Sequence, residues 1–215
     1  MKNTEILQKT ESFVKTFLEG EGNGHDWWHI YRVRKLALAI AEKEGGDLFI
    51  IEMAALLHDV DDYKLIKENK ESKNALNWLN KLQLPDKTIH HILSIIDEVS
   101  FKGNGVEDYT SSLECDIVQD ADRLDAIGAI GIARAFAYGG SKKRLLYDPS
   151  ERPAIYKSLE EYKKNTGSTI NHFYEKLLLL KDRINTITGK KLAKNRHTYM
   201  EQFLKQFFNE WDAKL

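Results

Sequence analysis

The chain has 215 residues, of which 42% are hydrophobic and 30% charged, enough for one sizeable core in an ordinary soluble globular protein. Its 32 Lys and Arg against 33 Asp and Glu leave a formal net charge of −1, which excludes a global field drawing it toward nucleic acid or an anionic membrane. Cys115 is the single cysteine, so an intrachain disulfide and a multi-cysteine zinc site are excluded, and no apolar run reaches the roughly 18 residues of a membrane span; a cytoplasmic protein is expected.

Only three prolines occur, at 85, 149 and 153, and the stretches between them carry helical rather than alternating periodicity, which predicts an all-α fold. A first helix is expected near 3–19. The loop EGNGHDWW then leads into a helix over about 26–44, with His29, Val33, Leu36 and Ile40 as its inward stripe. The next helix, about 47–58, is apolar nearly all round, as a central helix should be, and carries His58 and Asp59 at its carboxyl end. Shorter helices follow at about 72–82, capped by Ser72, and at 86–98, entered through Pro85 and Asp86. Ser111 and Glu114 have capping-box spacing and open one long helix that ends at Gly139 and Gly140. On it Val118, Asp122, Asp125 and Ala129 share a face, and Gly128 and Gly131 permit close packing. A basic loop over 141–152 precedes three helices at about 153–165, 169–187 and 190–212, the last with Leu192, Arg196, Tyr199 and Phe203 inward.

The segment AALLHDVDDYK at 54–64 ends an apolar run in one histidine and three carboxylates, a costly arrangement beside a core unless a cation partners them. His-Asp occurs at 25–26 as well, in a Gly- and Trp-rich approach to the helix of His29. Helical phase turns four such residues inward: His29, His58, Asp59 and Asp122. Two imidazoles and two carboxylates suit a divalent transition metal, whose charge the two carboxylates offset. Each residue also has a plainer reading: His29 as a hydrogen-bonded core histidine, Asp122 as a salt-bridge partner of Arg123, and Trp27 and Trp28 as packing residues rather than a base-stacking platform.

With GHDWWHIYRV, HDVDDYK and QDADRLDAIGAIGIAR in this order, the chain resembles the HD-domain metal-dependent phosphohydrolases, and the small bacterial members in particular. STINHFYEKL and KKLAKNRH extend that resemblance over nearly the whole chain. It implies a single HD domain over 1–215, with a metal-binding core at about 20–140 and C-terminal helices at 153–212 packed onto it. It also implies one divalent ion on His29, His58, Asp59 and Asp122, with Mn²⁺ favoured over Mg²⁺, Ni²⁺, Co²⁺, Fe²⁺ or Zn²⁺, activating a water for attack on phosphorus. Nucleotide hydrolases of the family often have a Glu three residues after the motif Asp; here Asp62 stands there and would handle the proton. The substrate implied is a small phosphorylated molecule, a nucleotide, with a nucleoside triphosphate cut to release pyrophosphate as the leading reading. A 5′-nucleotidase and a non-catalytic nucleotide sensor are the alternatives, and monomer and homodimer both stay open. Candidate substrate contacts are His25, Asp26, Arg32, Lys64, Lys102 and Arg196. The HisHis pair at 90 and 91 raises a second metal, but adjacent helical residues face different ways.

Overall fold

The computed structural model describes residues 2–20, 26–61, 73–99, 109–154 and 167–214. Among these the protein is all-α, with nine α-helices, one 3₁₀ segment and no strand. In chain order they are α1 (Asn3–Phe17), α2 (Trp27–Glu44), α3 (Leu48–Leu57), α4 (Asn74–Lys81), α5 (Asp86–Val99), α6 (Leu113–Asp125), α7 (Gly128–Ser141), α8 (Thr169–Glu175), the 3₁₀ segment (Leu177–Arg183) and α9 (Ile187–Trp211). None is long and apolar enough to cross a membrane. Ser72, and all of the helix expected at 153–165 except its first two residues, lie outside the described residues.

Two compact units divide within α6, between Asp122 and Arg123. In the amino-terminal unit α3 packs against α1, α2 and α5. This explains its apolar composition: with neighbours on three sides, residues 53–57 are all fully buried. Asp47 starts α3, its carboxylate accepting from the amides of Phe49 and Ile50. The Arg34 guanidinium, on α2, donates to Glu11 of α1 and Glu52 of α3, joining three helices through one charge. The Trp78 ring of α4 stacks on Phe13 of α1 with centroids 4.2 Å apart, and its Nε1 donates to Thr10 at 3.0 Å. On α2 the buried stripe is His29, Val33, Ala37 and Ile40, with Leu36 only half-buried beside it.

In the carboxy-terminal unit α7 packs on α9 and α8, and the 3₁₀ segment on α8 and α9. A cluster of rings fixes this packing: Phe173 stacks on Phe203 at 5.7 Å, and Phe136 meets both.

Four sequence expectations need correction. The single helix after Ser111 is two helices: the amides of Ala126 and Ile127 bond three residues back, to Arg123 and Leu124, and Gly128 restarts the chain at φ +75°. Gly131 is then required, because a Cβ there would lie 2.2 Å from the Ala126 carbonyl oxygen. The capping box is replaced by Ser112, whose hydroxyl accepts from the Cys115 amide, while Glu114 accepts from the Asp47 amide instead. The helix expected over 169–187 stops at Glu175, because Lys176 leaves helical geometry at φ −143°. The following LLLLKDR buries Leu177 and Leu180, a spacing of three that suits a 3₁₀ turn. Finally, α9 turns Gly189, Ala193, Met200 and Leu204 inward and leaves Tyr199 52% exposed. The small Gly189 and Ala193 allow a closer approach than the bulkier stripe predicted for that helix.

Candidate metal centre

Three elements of the amino-terminal unit bring the predicted ligands together. His29 lies in the first turn of α2, where the Asp26 carboxylate caps the helix by accepting from the His29 amide at 2.9 Å. His58 is the residue that closes α3, still helical at φ −60° and ψ −27°, and Asp59 follows it. Asp122 comes from the last turns of α6.

The His58 ring is oriented by its own helix. Its Nδ1 donates to the Ala55 carbonyl at 2.9 Å, which leaves Nε2 as the lone-pair nitrogen. That nitrogen faces Nε2 of His29 at 3.3 Å. Two ring nitrogens this close, both inside a core where His29 is wholly buried, converge on one point. The carboxylates complete the ring of donors: Asp59 Oδ2 lies 3.4 Å from His29 Nε2, and Asp59 Oδ1 lies 3.5 Å from His58 Nε2. Asp122 Oδ1 is 3.3 Å from the His29 nitrogen and 3.8 Å from that of His58.

These separations fit a metal ion. Donors bound at about 2.1 Å with angles near 90–110° stand roughly 3.0–3.4 Å apart, and the four side chains need only slight contraction to reach that. Among the described residues, His29, His58 and Asp59 are the one group of three or more potential ligands whose donor atoms all lie within 4.8 Å of one another. Asp122 joins it from the more open side, its side chain 29% exposed while Asp59 is 9% exposed. Burial works to raise the Asp122 carboxyl, but the hydrogen bond with His29 and the closeness of the His58 and His29 imidazoles hold it well below the usual carboxylate range. A carboxylate that stays ionised among imidazoles is a ready cation ligand. Asp120, two residues earlier, is fully buried, and it is Asp122 whose carboxylate meets the histidines.

The other sequence-predicted residues separate. Asp26 is tied to the α2 backbone, as described. Arg32 is half-buried on α2, one turn after His29. Arg196 belongs to the carboxy-terminal unit, where its guanidinium donates to the Leu124 carbonyl and its stem lies against Gly128. His25, Asp62, Lys64 and Lys102 lie outside the described residues. His90 is exposed, whereas His91 turns toward Ser112, its Nε2 3.2 Å from the hydroxyl, so the tandem pair does not act as one donor set. Trp27 is half-buried under Lys15, whose Nζ stands 4.6 Å from a ring centroid, and Trp28 is 60% exposed at the rim.

One polar residue was not anticipated from sequence. Asp61 accepts from the amides of Asn74 and Ala75, at 2.8 and 3.0 Å, across 13 and 14 residues of chain. Its partner lies on a distant turn of helix, so no local pattern announces it. The cap of α2 was more legible: an Asp three residues before a stripe-forming His has the spacing of an amino-terminal cap.

The model of the HD domain matches residues 27–127, the span that contains all four converging side chains. The chain belongs to the HD-domain superfamily of metal-dependent phosphohydrolases. A crystal structure of an HD-superfamily hydrolase from Bacillus thuringiensis is 46% identical, covers 99% of this chain and 100% of its own, and superimposes with a TM-score of 0.76. A Lactobacillus plantarum protein of known structure is 38% identical over 100% of both chains, with a TM-score of 0.88. Bacillus subtilis YpgQ is 39% identical over 96% of this chain and 94% of its own length. Its crystal structure in complex with ADP is similar to this HD-domain protein at a TM-score of 0.77, with 98% of this chain and 97% of that one covered.

Proposed function

We propose that this HD-domain protein hydrolyses nucleoside triphosphates at the α-phosphorus, releasing a nucleoside monophosphate and pyrophosphate. One observation carries the reading: two imidazole nitrogens and two carboxylates meet around a single point, with Asp122 on its more exposed side. A divalent ion held there, Mn²⁺ by preference, supplies Lewis acidity that makes water nucleophilic near neutral pH and offsets charge on phosphoryl oxygens. The nucleotide class is supported by the relative YpgQ, which was crystallised with ADP.

His29, His58, Asp59 and Asp122 hold the ion, with the His58 tautomer set by the Ala55 carbonyl. The attacking oxygen forms a bond to the α-phosphorus as the bridge to the β-phosphate breaks, and pyrophosphate leaves with the bridging oxygen. Asp62 takes the proton of the water directly or through a second water. Arg32, one turn along α2 from His29, is suited to a phosphate oxygen, and Lys64 and Lys102 to the rest of the triphosphate tail. His25, next to Asp26 in sequence, is the remaining candidate contact to substrate.

ADP is also what attack at the γ-phosphorus would leave, so the bound nucleotide of YpgQ favours a second reading, removal of one phosphate. Product analysis separates the two. Purified protein reconstituted with Mn²⁺ is offered nucleoside mono-, di- and triphosphates, and phosphate and pyrophosphate are resolved. Pyrophosphate with a nucleoside monophosphate supports the proposal; orthophosphate with a diphosphate favours the second reading; turnover of monophosphates alone makes the enzyme a nucleotidase. Neutralising Lys64 or Lys102 should raise KM for triphosphates more than for monophosphates.

A further inference from the structure

The three carboxylates of HDVDD need not share one task, and Asp61 is distinguished from the others by its partners. Both of its oxygens are engaged by the amino terminus of α4: Oδ1 accepts from the Asn74 amide at 2.8 Å and Oδ2 from the Ala75 amide at 3.0 Å. A third bond runs alongside, from Asn74 Nδ2 to the Val60 carbonyl at 3.1 Å. Lys73, at the cap position of α4, contributes no side-chain bond of its own, so Asp61 supplies the cap from a different part of the chain. A carboxylate at a helix amino terminus is also favoured by the helix dipole.

The anchor is firm. α4 buries Ala75 and Leu79, packs on α5, and is pinned to α1 through the Trp78 stack on Phe13 and the bond to Thr10. On the other side of the ligand pair, the Ala55 carbonyl fixes the His58 ring and the Val60 amide bonds the Leu57 carbonyl at 3.2 Å. His58 and Asp59 therefore sit on a short turn held upstream by α3 and downstream by α4. Without the downstream hold, the turn loses its bonds to α4, and backbone groups at the end of a helix fray.

We infer that Asp61, assisted by Asn74, is a positioning residue for the metal centre: it locks the turn carrying His58 and Asp59 to α4 and so sets the affinity for the ion, without ligating it or moving a proton. This rests on the proposal that His29, His58, Asp59 and Asp122 are the ligands. Asp61 acts on Asp59 and His58 through two residues of backbone, and its loss leaves all four donors in place but no longer held in one arrangement. The affinity then falls because the ordering of the turn must occur on binding.

The test uses the full chain and Mn²⁺ alone, titrated calorimetrically into metal-free wild type and D61A, D61N, N74A, T186A and H58A, with the melting temperature of each metal-free variant measured in parallel. Asp61→Ala should weaken the Mn²⁺ Kd by about tenfold or more, on the scale seen when groups that orient ligands are removed. Asp61→Asn keeps one acceptor, and Asn74→Ala removes the bond to Val60 while keeping the backbone amide that donates to Asp61, so both should weaken it by less, and both keep the question open to measurement if Asp61→Ala does not fold. Thr186→Ala removes a comparable cap, from the amide of Gly189 at the start of α9, and should lower the melting temperature while leaving the Mn²⁺ Kd unchanged. Asp61→Asn should also keep the shape of the pH–rate profile.

If D61A, D61N and N74A all bind Mn²⁺ within twofold of wild type while H58A does not bind, Asp61 is only a helix cap and the inference fails alone. If H58A binds as wild type does, the ligand assignment fails and takes the inference with it. Loss of one limb of the pH profile in D61N overturns it in a third way, by making Asp61 a proton carrier.

Discussion

Asp26 offers a sharp separation between a residue that shapes the metal centre and one that belongs to it. Its backbone is extended at φ −103° and ψ 175°, and its carboxylate accepts from the His29 amide at 2.9 Å. Asp26→Ala removes that acceptor and leaves an amide of the first turn without its side-chain partner, a loss of about 1 kcal/mol within a range of roughly 0.5–2. For a chain of this length about 1 kcal/mol lowers Tm by about 2–4 °C. Asp26→Asn retains an acceptor at the same place and is nearly as good a cap, so it should forfeit only the charge at the helix terminus, about 0.3–1 kcal/mol. Neither change removes a donor atom from the centre. Both variants should therefore bind one ion per chain at saturation, while turnover falls because His29 is less firmly placed. Circular dichroism melts, elemental analysis after gel filtration and initial rates report the three quantities. A metal-free Asp26→Ala protein with intact helices would make Asp26 a ligand, and a Tm loss in Asp26→Asn equal to that in Asp26→Ala would show that charge rather than hydrogen bonding holds the cap.

Three further outcomes follow from the packing. Leu56 is fully buried in α3, so Leu56→Ala should cost about 2–5 kcal/mol, read as a fall in the denaturation midpoint at unchanged slope; a loss under about 1 kcal/mol would contradict the central place given to α3. Gly131→Ala should destabilise by about 1–3 kcal/mol or more because its Cβ meets the Ala126 carbonyl, whereas Gly140→Ala, with nothing within 4 Å and an ordinary helical φ, should be neutral or stabilise by about 0.4–1 kcal/mol in the same melts. The Glu11 carboxyl is held below the usual range first by its hydrogen bond with Lys15, against some desolvation, and also by Arg34. Its folded pKa is thus below the unfolded one, so the network stabilises above the ordinary carboxylate value near about 4.3 and is lost as pH falls through the folded value. Glu11→Gln should flatten that acid limb of stability by less than about 1 kcal/mol, since the pair is partly exposed and screened.

The convergence of His29, His58, Asp59 and Asp122 was the most legible part of the sequence. His29 stands on a helical stripe, His58 and Asp59 end an apolar helix, and Asp122 shares a face with Val118; each is a periodicity signal that survives whatever surrounds it. Tertiary partners decided what was not legible. Nothing near Asn74 in sequence tells that Asp61 caps it, and nothing near Ser111 tells that its expected partner Glu114 accepts from the distant Asp47 amide. The break between α6 and α7 did leave a local trace, two glycines three residues apart, but these read equally as close packing on a continuous helix. On α9 two stripes compete, one bulky and one built on Gly189 and Ala193, and only the neighbouring helices choose between them.

The central claim is that His29, His58, Asp59 and Asp122 bind one divalent ion that the reaction requires. The most direct measurement is the metal content and turnover of His58→Ala beside wild type, both loaded with Mn²⁺ and desalted, with the far-ultraviolet spectrum confirming that the helices persist. The account predicts about one ion per wild-type chain, close to none in the variant, and activity lost in the same proportion. Unchanged stoichiometry in a folded His58→Ala protein would contradict it.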